Sequence, residues 1–162
     1  MTMIGILILV LTFLIMEGIT WFTHKYVMHG FLWYLHADHH EPKYPHVFEK
    51  NDLFFVMFAI PSIALIYFGF ETPGFDVRIW IGFGIMAYGA AYFFVHDIFI
   101  HQRFKIFRNT NSVYFKGLRK GHKVHHKHLD KEHGECFGML WVPMKYFKEA
   151  ARSKEKNKRV GA

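Results

Sequence analysis

Only one cysteine, Cys136, occurs among the 162 residues. An intrachain disulfide and a Cys-x-x-Cys redox pair are therefore excluded, and Cys136 reads as an ordinary thiol. No phosphate-binding glycine loop and no Ser-His-Asp arrangement is present, so neither nucleotide-phosphate chemistry nor serine hydrolysis has its residues here. Acidic residues are sparse, 13 against 20 Lys and Arg, which leaves a formal net charge of +7. No recognised nucleic-acid motif accompanies that charge, and nucleic acid is not expected as a partner. The run LFFVMFAIPSIALIYFGF, residues 53–70, lacks the polar face that a helix of a soluble bundle shows every 3.6 residues.

What remains is a mosaic of very apolar and very basic stretches. Three apolar runs, 3–22, 53–70 and 79–95, are each long enough to cross a hydrocarbon core, which takes ~17–25 helical residues. The first has no positive leader region and no small-residue cleavage site, so it reads as a retained span rather than a signal peptide. Gly82, Gly84, Ala87, Gly89, Ala90 and Ala91 make the third a small-residue helix suited to close packing. Of the 20 Lys and Arg, 16 follow His101, and three lie between residues 24 and 52. Three spans put both regions on one side, opposite the loop ETPGFDV. The positive-inside bias makes that side cytoplasmic. The fold class expected is an all-α, multi-pass membrane protein, with residues 1–150 as the membrane-embedded domain and 151–162 as a charged tail.

All 13 histidines fall on the basic side or at its membrane border, and ten of them form four boxes. His24/His29 and His96/His101 have the spacing H-x4-H. His36/His39/His40 and His122/His125/His126 have the spacing H-x2-H-H. In an α-helix, positions i, i+3 and i+4 fall within about 100° of one face, so each triplet points together. Five residues turn the helix by about 500°, which leaves the H-x4-H partners roughly 140° apart, gripping a centre from two sides or binding different metals. Imidazole suits iron, zinc, copper and nickel. Ten imidazoles are too many for one metal, and two metals with five each account for them all.

Acidic residues near the boxes are candidates for orienting the ligands, because a ligating histidine usually gives its second N–H to a carboxylate or carbonyl. Glu17, two helical turns before His24 and inside a span, is one; Asp38 and Asp97 are the others. His46, His128 and His133 lie outside the boxes and are expected to be ordinary histidines.

The stretches HKYVMHGFLWYLHADHHEP, FEKNDLFFVMF, AYFFVHDIFIHQRF and GHKVHHKH closely resemble the bacterial β-carotene 3-hydroxylases, within the fatty acid hydroxylase group of histidine-box membrane oxygenases. The resemblance covers roughly residues 5–147 with all four boxes intact. It implies a non-haem di-iron monooxygenase that takes a carotenoid from the bilayer, consumes O2, and draws electrons from ferredoxin. It also implies that His24, His29, His36, His39, His40, His96, His101, His122, His125 and His126 ligate the irons, with zinc able to replace iron in isolated protein. Other histidine-box oxidations, such as carotenoid ketolation, fatty-acyl or sterol hydroxylation and desaturation, use variants of the same boxes. A metal transporter is the alternative outside enzymology, but transport sites tend to lie near mid-membrane, whereas these histidines gather past the span ends.

Overall fold

The computed structural model describes residues 2–41, 48–107 and 109–160, with side chains through 156. Those residues are helical or irregular, with no strand among them. α1 (Thr2–Phe22) runs into a π-helical segment, Thr23–Phe31, and then into the short α2 (Trp33–His40). α3 (Asp52–Phe70) and α4 (Val77–Phe93) form a hairpin, and a second π-helical segment, Phe94–Ile100, extends α4. α5 (Val113–His125) and α6 (Met144–Val160) complete the chain. α6 therefore passes continuously across residue 150, with its charged end as part of the same helix.

Three of these units are long and apolar enough to cross a membrane: Thr2–Phe31, Asp52–Phe70 and Val77–Ile100. Their surfaces are apolar and outward-facing; in α1 only Gly5 and Met16 are buried. So much exposed hydrocarbon is stable only where lipid is the solvent. α4 packs between α1 and α3, and its small residues permit the approach. A Cβ on Gly84 would lie 2.8 Å from the Leu9 carbonyl oxygen, and one on Gly82 would lie 2.9 Å from that of Ser62. The Ser62 hydroxyl uses that closeness to donate to the Gly82 carbonyl at 2.8 Å.

The buried apolar core lies at the other end of the molecule. Val95, Leu118, Cys136, Met139, Val142 and Tyr146 pack together where the second π segment, α5, α6 and the 126–143 loop meet. Ser112 starts α5 by accepting the Phe115 N–H, as an N-cap should. α5 then docks on α6, with Gly117 against Phe147. This arrangement presents the histidines of α5 to those carried by the ends of α1 and α4.

Candidate metal centre

The H-x4-H pairs do not sit in α-helix. His24 and His29 fall in one π-helical segment, and His96 falls in the other with His101 as its C-cap; in such turns the hydrogen bond runs from i+5 back to i. The His101 N–H donates to the His96 carbonyl at 2.8 Å, one such bond between the two histidines themselves. The wider turn brings residue i+5 back over residue i, so the expected 140° divergence disappears. His24 and His29 join one group, and His96 and His101 join another.

The H-x2-H-H triplets do the opposite. They do not each point at one centre but divide. His36 and His40, a pair at i and i+4, go with His24, His29 and His125. His39 goes with His96, His101 and His122. His126 belongs with the second group, its Nε2 2.9 Å from that of His122 and its ring centroid 4.8 Å from those of His39 and His101. It also stacks on His40 at 4.6 Å, so the two groups share a wall. Within each set recognised as able to hold a metal ion, the candidate ligand atoms lie within 4.8 Å of one another.

The ring nitrogens are sorted by direction. Nε2 faces inward: His36 Nε2 lies 3.1 Å from that of His24 and 3.2 Å from that of His40, and His29 and His125 approach at 3.2 Å. In the second group the separations are 3.0 Å for His39–His96 and 2.8 Å for His101–His122. In seven of the ten rings Nδ1 faces outward to an acceptor, while His122 Nδ1 is buried without a hydrogen-bond partner among the described residues. His24 gives to the Phe137 carbonyl at 3.0 Å, His29 to Lys131 at 3.3 Å, His40 to His128 at 2.9 Å and His125 to Glu135 at 2.9 Å. His36 Nδ1 gives to Asn51 Oδ1 at 2.7 Å and His39 Nδ1 to Glu49 Oε2 at 2.6 Å. A carbonyl can only accept, so each such bond fixes the proton on Nδ1 and leaves a lone pair on Nε2. Lone pairs facing one another at about 3 Å repel unless a cation lies between them. The donor set therefore fits a metal in each group.

The electrostatics agree. Burial, with the neighbouring imidazoles, pushes His36, His125 and His126 down to about 2, and burial, with the Arg103 guanidinium and then His40, pushes His101 to about 4. His39 and His122 are likewise pushed well below the usual histidine range, first by burial. Neutral imidazole is the ligand form.

The three acidic candidates fall in different places. Asp97 Oδ2 lies 3.3 Å from His96 Nδ1, as a ligand-orienting carboxylate would. Glu17 touches no box histidine: its carboxylate accepts the N–H groups of Met139, Leu140 and Trp141 and the Tyr88 hydroxyl. It faces the 137–141 loop, because the helix carries it towards α4 rather than towards His24. Asp38 accepts the Lys50 N–H at 2.9 Å and, among the described residues, bonds no histidine, since it leaves the ligand side of α2. His128 contributes its carbonyl, His133 is exposed, and His46 lies outside the described residues.

The partners missed by side-chain reasoning are Glu49, Asn51 and Arg103, together with four carbonyls of the 128–137 segment. FEKND carries Glu49 and Asn51 immediately before α3 and Asp52 as its first residue, a polar cluster at a span entrance that does signal a role. Backbone carbonyls leave no trace in a sequence. The segment that supplies them is shaped by two left-handed non-glycine residues, His133 (φ 60°) and Cys136 (φ 64°).

Membrane-length helices whose ends carry buried histidine clusters able to hold metal define a class, the histidine-box membrane proteins. The fatty acid hydroxylase family matches residues 9–144, and the chain belongs to that family. It is 42% identical over 140 residues to a beta-carotene hydroxylase of Pseudescherichia vulneris, covering 86% of this chain and 78% of that protein. It is 41% identical over 156 residues to a beta-carotene hydroxylase of Pantoea ananas, covering 96% and 87%. A chloroplastic beta-carotene 3-hydroxylase 2 of Arabidopsis thaliana is 34% identical over 139 residues, 85% of this chain and 45% of the plant protein. No solved structure matches the chain.

Proposed function

We propose that this chain is a carotenoid hydroxylase that places a hydroxyl on C3 of β-ionone rings, taking β-carotene to β-cryptoxanthin and then zeaxanthin. The observation that carries the reading is the conjunction of ten box histidines, sorted into two inward-facing groups, with relatives that are beta-carotene hydroxylases. The reaction consumes O2, two electrons and two protons, leaves one oxygen on the ring carbon and releases the other as water. Two irons, held by the ten box imidazoles, would supply the oxidant that no side chain can provide for an unactivated C–H bond.

The chain's own residues do the rest. The ten imidazoles offer Nε2 as ligand, and the Nδ1 bonds of His24, His29, His36, His39, His40, His96 and His125 hold those rings so that little reorganisation accompanies metal binding. The 128–143 loop closes over the first group, with the Phe137 ring edge-on to His24, His29 and His125, which shields it from bulk water. The apolar spans end at the clusters, so a hydrocarbon substrate in the bilayer reaches them without crossing water. The basic face, on the cytoplasmic side by the positive-inside rule, suits a small acidic electron donor of the ferredoxin type.

The test is expression in carotene-making cells with pigment analysis. Appearance of β-cryptoxanthin and zeaxanthin supports the reading. A 4-keto product would assign the chain to ring ketolation, and unchanged β-carotene beside a hydroxylated acyl lipid would move it to fatty-acyl chemistry.

A further inference from the structure

Three carboxylates and one guanidinium meet behind the second histidine group. Arg103 NH2 lies 3.1 Å from Glu49 Oε2 and 2.9 Å from Asp52 Oδ1, and its Nε lies 3.0 Å from Asp97 Oδ1. Glu49 holds His39 Nδ1 at 2.6 Å, and Asp97 approaches His96 Nδ1 at 3.3 Å. Asp52 in turn accepts the Glu49 N–H at 3.0 Å. The chain turns at Gln102 in the left-handed region (φ 55°), directly after His101, and this sends Arg103 back beneath Asp97. The first group is backed differently. Its Nδ1 protons go to four peptide carbonyls and the Asn51 amide; Asp130 acts on His29 through space, but among the described residues no carboxylate hydrogen-bonds these rings.

We propose that the two groups are unequal metal positions, and that Glu49 and its Arg103-linked carboxylates make the His39/His96/His101/His122/His126 position the tighter one. This rests on the di-metal reading above. A carboxylate accepting from Nδ1–H draws that proton outward, gives Nε2 more anionic character and strengthens its bond to a cation. A peptide carbonyl does so less. The formal charge behind the second group is also net negative, three carboxylates against one guanidinium, and an anionic surround stabilises a bound cation where water is excluded. Glu49 and Asp97 are positioning residues: each acts through a ligand.

The experiment is a cobalt(II) titration of the full chain, stripped with chelator in detergent micelles and followed by the visible cobalt absorption. Two steps are expected. His101→Ala should remove the tighter one and His40→Ala the weaker. Glu49→Gln keeps an oxygen that can accept from His39 Nδ1 but removes the charge; it should weaken the tighter step by ~10–100-fold and leave the other unchanged. Asn51→Asp, which brings a carboxylate to His36, should tighten the weaker step. Two equal steps in the parent protein, or equal losses at both steps in Glu49→Gln, would overturn the inequality while leaving the di-metal reading intact. Uptake of a single cobalt would overturn both.

Discussion

Glu17 and Met139 are 122 residues apart, yet the Met139 N–H donates to Glu17 Oε1 at 3.0 Å. Leu140 and Trp141 donate to the same oxygen, at 3.1 and 3.0 Å, and the Tyr88 hydroxyl donates to Oε2 at 2.7 Å. A carboxylate on a membrane-length helix thus anchors the loop whose Phe137 carbonyl holds His24. Even Gly138 reflects this: a Cβ there would lie 2.2 Å from the Trp141 carbonyl oxygen and 3.1 Å from Glu17 Oε1.

Glu17→Gln turns one acceptor into a donor facing a row of N–H groups. Each buried donor left without a partner costs about 1–3 kcal/mol, and the loop should lift from α1. Zeaxanthin yield should fall by ~10–100-fold, and bound metal per chain should fall towards one, if His24 is effectively lost as a ligand. Metal analysis of purified protein beside pigment extraction checks this. Full metal content in Glu17→Gln would mean that the loop stays closed without the carboxylate.

Asp38 and His39 are neighbours with unequal consequences. Among the described residues Asp38 accepts only the Lys50 N–H, a bond an amide oxygen can also accept, so Asp38→Asn should retain most of the activity. His39→Ala removes an inward Nε2 and leaves Glu49 without its imidazole, and it should abolish hydroxylation. Immunoblots should show normal membrane levels of both variants, because the spans do not depend on either side chain. Near-parental zeaxanthin from His39→Ala would remove His39 from the site.

How legible the protein was depends on the scale of the feature. The three spans follow from apolar length and composition, and the helices agree with them closely, because lipid solvation constrains every residue along them. The histidine boxes are legible for the same reason of density. The turn geometry was not: H-x4-H read as α-helix diverges, whereas the π segments at His24–His29 and His96–His101 align the pairs. Nor could a single-helix argument see that His39 parts from His36 and His40, since that depends on the second π segment bringing His96 and His101 beside His39. The acceptors at Phe137, Lys131, His128 and Glu135 are peptide carbonyls, which every residue possesses.

Metal identity gives a third prediction. Zinc outranks ferrous iron at nitrogen sites, so overproduced protein should carry zinc in part. Zinc has no redox chemistry, and protein loaded with zinc alone should neither consume O2 nor hydroxylate carotene. Stripping and reloading with ferrous iron should restore both. Turnover by zinc protein free of iron would refute the oxygenase chemistry.

Removal of metal should also expose the buried imidazoles to linkage with pH. In the folded chain His101 is pushed from 6.5 to about 4, and His36, His125 and His126 to about 2, chiefly by burial. Unfolded, each takes up a proton near 6.5. Between those limits the unfolded state binds more protons, so stability is present above the ordinary histidine range and lost as pH falls through it. Each such imidazole contributes a slope of up to about 1.4 kcal/mol per pH unit. Metal-stripped protein in detergent should therefore melt progressively lower from pH 7 to pH 5. The metal-loaded protein should be steadier over the same interval, because bound metal excludes the proton from Nε2. Thermal melts of both forms across that range decide the matter: parallel curves would mean that the ten imidazoles are not held neutral and inward-facing by the fold.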